Sequence, residues 1–340
     1  EIKFLTNECE ISHIMWLDDD LLKDHDRAIG LFNAMVQNNL SVTWDATNGV
    51  IASSCTEEVI AAASESGCIA INIGMESGNR DILKSVRKPG TVDTFLTAAA
   101  VLQKFEKIHS SVFLMIGFPG ETMSMILDTI ETAREMNLDW YRCSQLQPLP
   151  NTPIFDAMVA QGLIKQSAGA DLRFNGGAYG KQTELEQGLR LATSNFVEAF
   201  SEISLDSVPT PEQLTDIWFF MNYHLNFSRI FYEERPEKLN QLKAHLNVLA
   251  DVISPENGFS LYFLGYLDFK TNGSINPLYV ERLTTRLETS SYWRDRFEAF
   301  GLSVNQLQNL NFSKDHEPIF TNNSHQELKR KTGLLNSNIL

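Results

Sequence analysis

The sequence is short of cysteine, of basic residues and of long apolar runs. Its four cysteines, Cys9, Cys55, Cys68 and Cys143, are scattered through 340 residues, with no C-x-x-C pair. Such thiols neither frame a disulfide-stapled domain nor build a metal knuckle, and they suit a reducing, cytoplasmic setting. No apolar stretch approaches the roughly 20 residues that cross a bilayer, so no membrane span is expected. A signal peptide is missing too, and the chain opens on Glu1 rather than Met, which reads as a truncated start. Lys and Arg total 28 against 43 Asp and Glu, a net charge of −15. That balance argues against a nucleic-acid surface, because neutralising phosphates needs clustered cations. His13, His109, His224 and His245 stand at no metal-ligand spacing and read as surface or core histidines.

What the chain does have is strand–helix alternation. Val112 to Ile116 is an unbroken apolar run, as expected of a strand buried on both faces of a parallel sheet. It ends in Gly117-Phe118-Pro119-Gly120-Glu121-Thr122, where Thr122 offers an N-cap to a helix carrying Ile126, Ile130, Ala133 and Met136. Similar units surround it. Residues 1–10 read as the end of a helix, His13–Leu17 as a strand closing on Asp18-Asp19-Asp20, and 21–38 as a helix in which two of those acids serve the first turn. Ser41–Trp44 is a short strand running into Asp45–Gly49, and Ser54 with Glu57 suggests a capping box. Cys68–Ile73 is a strand closed by Gly74-Met75-Glu76-Ser77-Gly78, a helix follows near 91–106, and Trp140–Ser144 makes a fifth strand. Strands at roughly 30-residue spacing imply βαβ units, a parallel sheet and an open or closed barrel. The polar clusters fall at the carboxyl ends of the strands, where such enzymes place their chemistry.

Beyond Ile164 the pattern becomes helical. The division expected is a βα-barrel region over 1–165, a Gly-rich linker over 166–181, a helical domain over 182–312 and a polar tail over 313–340. Helices are expected over 182–203, from Thr210-Pro211-Glu212-Gln213 onward, near 237–252 and 258–269, with shorter ones to about 310. Trp218-Phe219-Phe220 reads as core.

Four stretches in register resemble one family, the radical S-adenosylmethionine (SAM) enzymes, and most of all the branch often preceded by a cobalamin-binding domain. They are Trp16–Asp20, Gly74–Gly78 followed by Ile82, Leu83 and Lys88, Gly117–Thr122, and Pro148–Pro153. The resemblance covers residues 1 to about 165 and implies a partial (β/α)6 barrel lacking its first strand, followed by the all-α domain. It implies SAM and a [4Fe–4S] cluster as cofactors and makes cobalamin a further candidate. The implied activity is generation of a 5′-deoxyadenosyl radical for methyl transfer or other C–H modification. The family's three clustered cysteines have no counterpart here, so cluster ligands are expected upstream of Glu1 and the fragment alone is expected to be inactive.

The resemblance also implies site residues. Asp18, Asp19 and Asp20 occupy the place that meets the SAM amino group, through a charge-assisted bond, with one functional acid and two structural ones expected. Glu76, with Ser77 beside it, stands where a polar group meets the ribose or methionine portion. The turn holding Gly117, Pro119 and Gly120 would approach the adenosine with its backbone, and Gln147 would lend backbone contacts to adenine. Thr47 and Asn48 are weaker candidates for substrate contact. Expected partners are an electron donor and a small-molecule, lipid or glycan-type substrate, with no metal site on the chain itself. Two other readings stay open: a metal-independent βα-barrel enzyme using Asp19 and Glu76 as an acid–base pair, and a degenerate barrel carrying a helical interaction module.

Overall fold

Trp44 is fully buried because three neighbours claim it. Its ring stacks on Phe32 with centroids 4.8 Å apart, meets Trp16 edge-on at 6.5 Å, and its indole N–H donates to Ser66 Oγ at 3.0 Å. Phe32 lies on a helix and Trp44 on a strand, so this cluster fixes one helix against one face of a sheet. The computed structural model describes residues 1–162 and 199–312. Among these, helix α1 (Ile2–Glu8), strand β1 (His13–Met15), α2 (His25–Gln37), β2 (Thr43–Val50), α3 (Glu57–Glu65), β3 (Cys68–Glu76), α4 (Arg80–Ser85), α5 (Val92–Leu102), β4 (His109–Ile116), α6 (Met123–Met136), β5 (Trp140–Gln145) and α7 (Pro153–Ala160) follow in order.

The five strands form one sheet in chain order, β1-β2-β3-β4-β5, and β1 to β4 pair in parallel. Sequential parallel neighbours joined by right-handed crossovers place the intervening helices on one face of the sheet. Alternation along β2 then assigns Trp44 and buried Ala46 to the helix side and Thr43, Asp45 and Thr47 to the other.

Several local expectations are corrected. Helix α2 begins at His25, and its N-cap is Asp24, whose side chain accepts from Arg27 N–H at 3.0 Å. Asp18–Asp20 therefore do not cap it. Strand β2 continues through Asp45–Gly49, whereas the sequence suggests a strand that ends at Trp44. Thr56, not Ser54, caps α3, because Ser54 belongs to a 3₁₀ turn (Ala52–Ser54) and binds Asp20. Strand β3 likewise runs on to Glu76, and the short α4 after it was not anticipated.

The chain divides into two compact units: Glu1–Leu114 with Asp128–Arg142, and Met115–Leu127 with the described residues from Cys143 onward. The second holds α8 (Pro211–Asn222), α9 (Pro236–Val248), α10 (Gly258–Asn272), α11 (Pro277–Thr289), α12 (Ser291–Ala299) and α13 (Val304–Gln308). A capping box of Thr210 and Gln213, with Pro211 in the first turn, starts α8 as its sequence implies. Single π-helical turns prolong α8 (Tyr223–Phe227) and α9 (Leu249–Ile253). Helix α10 is buried all round its first eleven residues, and the core it threads is aromatic. Phe219, Phe259 and Phe297 pack there in successive contacts near 5.5 Å, and Tyr223 packs on Phe300 at 4.1 Å. Trp218, Phe219 and Phe220 are core, as expected. The Gly-rich linker 166–181 with Gly169–Gly180, most of the helix expected over 182–203 and the tail 313–340 lie outside the described residues.

Candidate functional site

In the first unit the best-built feature is the end of strand β3. Glu76 takes a left-handed backbone, φ +74°, where the register of β3 against β4 slips between Gly74 and Glu76. A bulge of this kind re-aims a side chain, and the left-handed state costs a residue with a Cβ about 1 kcal/mol or more. The carboxylate it re-aims is gripped by Lys88, whose Nζ lies 2.8 Å from Glu76 Oε1, each side chain about a fifth exposed. Glu76 Oε2 is buried and has no hydrogen-bond partner among the described residues.

Two devices set this geometry. Helix α4 ends with Arg87 in a left-handed conformation, and the N–H groups of Lys88 and Arg87 donate to the carbonyls of Leu83 and Lys84. This is the Schellman pattern, and it fixes where Lys88 leaves the helix. The ammonium then lies over Gly74, where a Cβ would come within 2.9 Å of Nζ. The stretch after Glu76 is bolted to α6. Ser77 Oγ pairs with Thr129 Oγ1 at 3.0 Å and accepts from Asn79 N–H, Gly78 N–H donates to Thr129 Oγ1, and Asn79 Nδ2 donates to Asp128 Oδ2 at 2.8 Å. Gly78 must be glycine here, since a Cβ would lie 2.6–2.8 Å from Thr132 Oγ1 and the Asp128–Thr129 backbone. Ser77 is thus placed as a fully buried strut of the loop.

The other strand ends of this unit divide their labour. Asp20 accepts from Leu22 N–H and from Ser54 Oγ, the latter at 2.9 Å, so it braces the turn. Asp18 and Asp19 are exposed. On the sheet face opposite the helices, polar side chains link four strands. His13 Nε2 meets Asp45 Oδ2 at 2.8 Å, and Asp45 Oδ1 accepts from Thr47 N–H and Oγ1. Asn72 Nδ2 donates to the Thr47 carbonyl, and Ser111 Oγ donates to Asn72 Oδ1. Thr47 is taken up by this seam, while Asn48 remains exposed.

In the second unit, the turn after β4 folds on its own glutamate. Glu121 Oε2 accepts from Gly117 N–H at 2.6 Å and Phe118 N–H at 3.2 Å. Burial pushes this carboxyl up to about 7, against the lowering pull of the two amides. Pro119 is half-buried and Gly120 exposed; Gln147 is half-buried after β5. The role of Glu121 was not legible in the sequence, although its spacing from Gly117 offered the signal.

A cluster does not fit the chain's own cysteines. Cys55, Cys68 and Cys143 are buried while Cys9 is exposed. Burial, with Asp20 adding, pushes the Cys55 thiol up to about 12, and burial raises Cys68 and Cys143 further. Iron needs thiolates. Among the described residues no three His, Cys, Asp or Glu side chains group as metal ligands.

Residues 1–133 match the Radical SAM superfamily. An uncharacterized methyltransferase of Pyrococcus horikoshii is 29 % identical over 164 residues, 48 % of this chain and 35 % of its own length. A tRNA-2-methylthio-N(6)-dimethylallyladenosine synthase of Acinetobacter baumannii is 29 % identical over 87 residues, 25 % of this chain and 18 % of that protein. The chain thus spans about a third or less of these relatives. Among solved structures, the radical SAM methyltransferase TsrM from Kitasatospora setae aligns with 47 % of this chain and 30 % of its own, at TM-score 0.41 and 16 % identity. The cobalamin-dependent enzyme OxsB aligns with 97 % of this chain and 52 % of its own, at TM-score 0.39 and 10 % identity. The strand ends described above fall largely within residues 1–133, the stretch that matches the Radical SAM superfamily.

Proposed function

We propose that this chain is the SAM-binding part of a radical SAM enzyme whose reaction is methyl transfer or another C–H modification. One observation carries the reading. Glu76 is held in a strained backbone at the end of β3, anchored through one oxygen by Lys88, with its other oxygen buried and bare. A bare buried carboxylate oxygen costs free energy unless a donor meets it, and strain of this kind is characteristic of ligand sites. The ribose hydroxyls and ammonium of SAM supply such donors.

In this reading Glu76 accepts a hydrogen bond from the ligand, and Lys88 and the strut at Ser77 hold it in place. Exposed Asp18 and Asp19 draw the ligand's ammonium, while Asp20 keeps their turn in shape. The second unit, taken by itself, offers the backbone at Gly117, Pro119 and Gly120, and that of Gln147, as candidate contacts for a nucleoside. SAM supplies, when cleaved beside a reduced cluster, the radical that abstracts hydrogen. The described residues provide no cluster ligands, so no such step is assigned to them. Closure of the parallel sheet into a partial barrel, a cobalamin-linked partner domain and a small-molecule, lipid or glycan-type substrate belong to the same proposal. The methyltransferase name of the Pyrococcus relative supports the reaction class.

Calorimetric titration of the chain with SAM tests the reading. Glu76→Gln and Asp19→Ala are expected to weaken binding by about 1–3 kcal/mol, the loss of a buried or charge-assisted bond. Unchanged affinity in both variants would place the ligand elsewhere.

A further inference from the structure

Glu121 is 1 % exposed and lies one residue before the Thr122 that opens α6. Its carboxylate already holds the Gly117 and Phe118 amides, and its own N–H donates to the Phe118 carbonyl at 2.9 Å. Its Oε1 is buried with no hydrogen-bond partner among the described residues. A glycine-rich turn between a strand and a helix ordinarily offers its amides to a ligand anion. Here a carboxylate belonging to the chain sits on two of them. A phosphate brought to the same amides would displace that carboxylate or face a buried like charge beside it, where low dielectric magnifies the repulsion.

We propose that Glu121 is a specificity-determining residue, the internal occupant of the turn's anion seat, which closes the Gly117–Gly120 turn to phosphate and leaves it to the neutral nucleoside part of a ligand. The nucleoside half of this statement rests on the SAM reading above; the exclusion of anions does not. A residue that merely stabilised the turn would alter stability without altering which ligand the amides accept.

The test follows the Gly117 and Phe118 amides of the full chain by ¹H–¹⁵N spectra and hydrogen exchange, at about pH 8, where the carboxylate is charged. Inorganic phosphate and adenosine are the two probes. In the parent chain both amides should exchange slowly and ignore phosphate. In Glu121→Ala they should exchange roughly tenfold faster or more, and phosphate should now shift them. Phosphate shifts in the parent chain, or a Glu121→Ala chain that stays silent to phosphate, would overturn the proposal. If Glu121→Ala does not fold, Glu121→Gln keeps an acceptor without the charge, so both amides should remain slow; fast exchange there overturns it equally. Adenosine that shifts neither amide would overturn the nucleoside assignment alone, while the phosphate arm still decides the role of Glu121.

Discussion

Lys88 Nζ lies 2.8 Å from Glu76 Oε1 and directly above Gly74, so twelve residues of chain return to clamp the carboxylate that ends strand β3. The clamp draws on three local features: the bulge at Glu76, the Schellman end of α4 that seats Lys88, and the missing Cβ at Gly74. None forms the pair alone.

Coupling between Lys88 and Gly74 follows. Lys88→Met strands a half-buried carboxylate and should cost about 1 kcal/mol, discounted for the partial exposure of both groups. Gly74→Ala should displace the flexible ammonium rather than the backbone and cost less than about 1 kcal/mol. Because both break one contact, urea unfolding of the double variant should show less than the summed loss. Simple additivity would mean that the ammonium is not seated on Gly74.

At Gly78 the neighbour that a Cβ would strike includes rigid helix backbone. Gly78→Ala should therefore cost on the order of 1–3 kcal/mol, the range for overpacking, read as a lower urea midpoint at unchanged slope. A neutral substitution would show that the loop is not pressed against α6.

Stability should depend on pH through Glu121. Burial raises its native carboxyl from 4.5 to about 7, so between those values the native state binds more protons than the unfolded one. Its contribution is then complete below about 4.5 and lost as pH rises through about 7, a change on the order of 3 kcal/mol at most. Subtracting the Glu121→Gln profile from the parent profile should isolate this decline. Parallel profiles would contradict the raised value.

Thiol chemistry should sort the cysteines. Cys9 is exposed, and Cys55, Cys68 and Cys143 are buried with their thiols held protonated. Native alkylation followed by mass spectrometry should mark Cys9 alone, the other three reacting only on unfolding. Reconstitution with iron and sulfide should likewise leave no stoichiometric cluster on this chain.

How much of this was legible beforehand differs by element. The order of the strands and of the longer helices was, because buried parallel strands are continuous apolar runs such as Val112–Ile116 and helices carry stripes such as Ile126, Ile130 and Ala133. The start of α8 was equally plain, its cap chemistry being contained in four consecutive residues, Thr210–Gln213. The start of α2 was not. Asp18, Asp19, Asp20 and Asp24 are chemically equivalent N-caps, and the choice of Asp24 follows from Asp20 being drawn to Ser54, thirty-four residues away.

What the sequence by itself determined is whatever depends on neighbours along the chain: the alternation of elements, the parallel class of the sheet, the helical second half and the glycine-rich turns. What only the tertiary structure decided is which polar groups are occupied. Glu76 and Glu121 look alike in sequence, each within two residues of a glycine where an apolar run ends. Yet Glu76 is held by Lys88 from the far end of α4, and Glu121 by the amides of its own turn. A side chain's partner is set by distance in space and by the water that burial removes, and neither is encoded in any local run of residues.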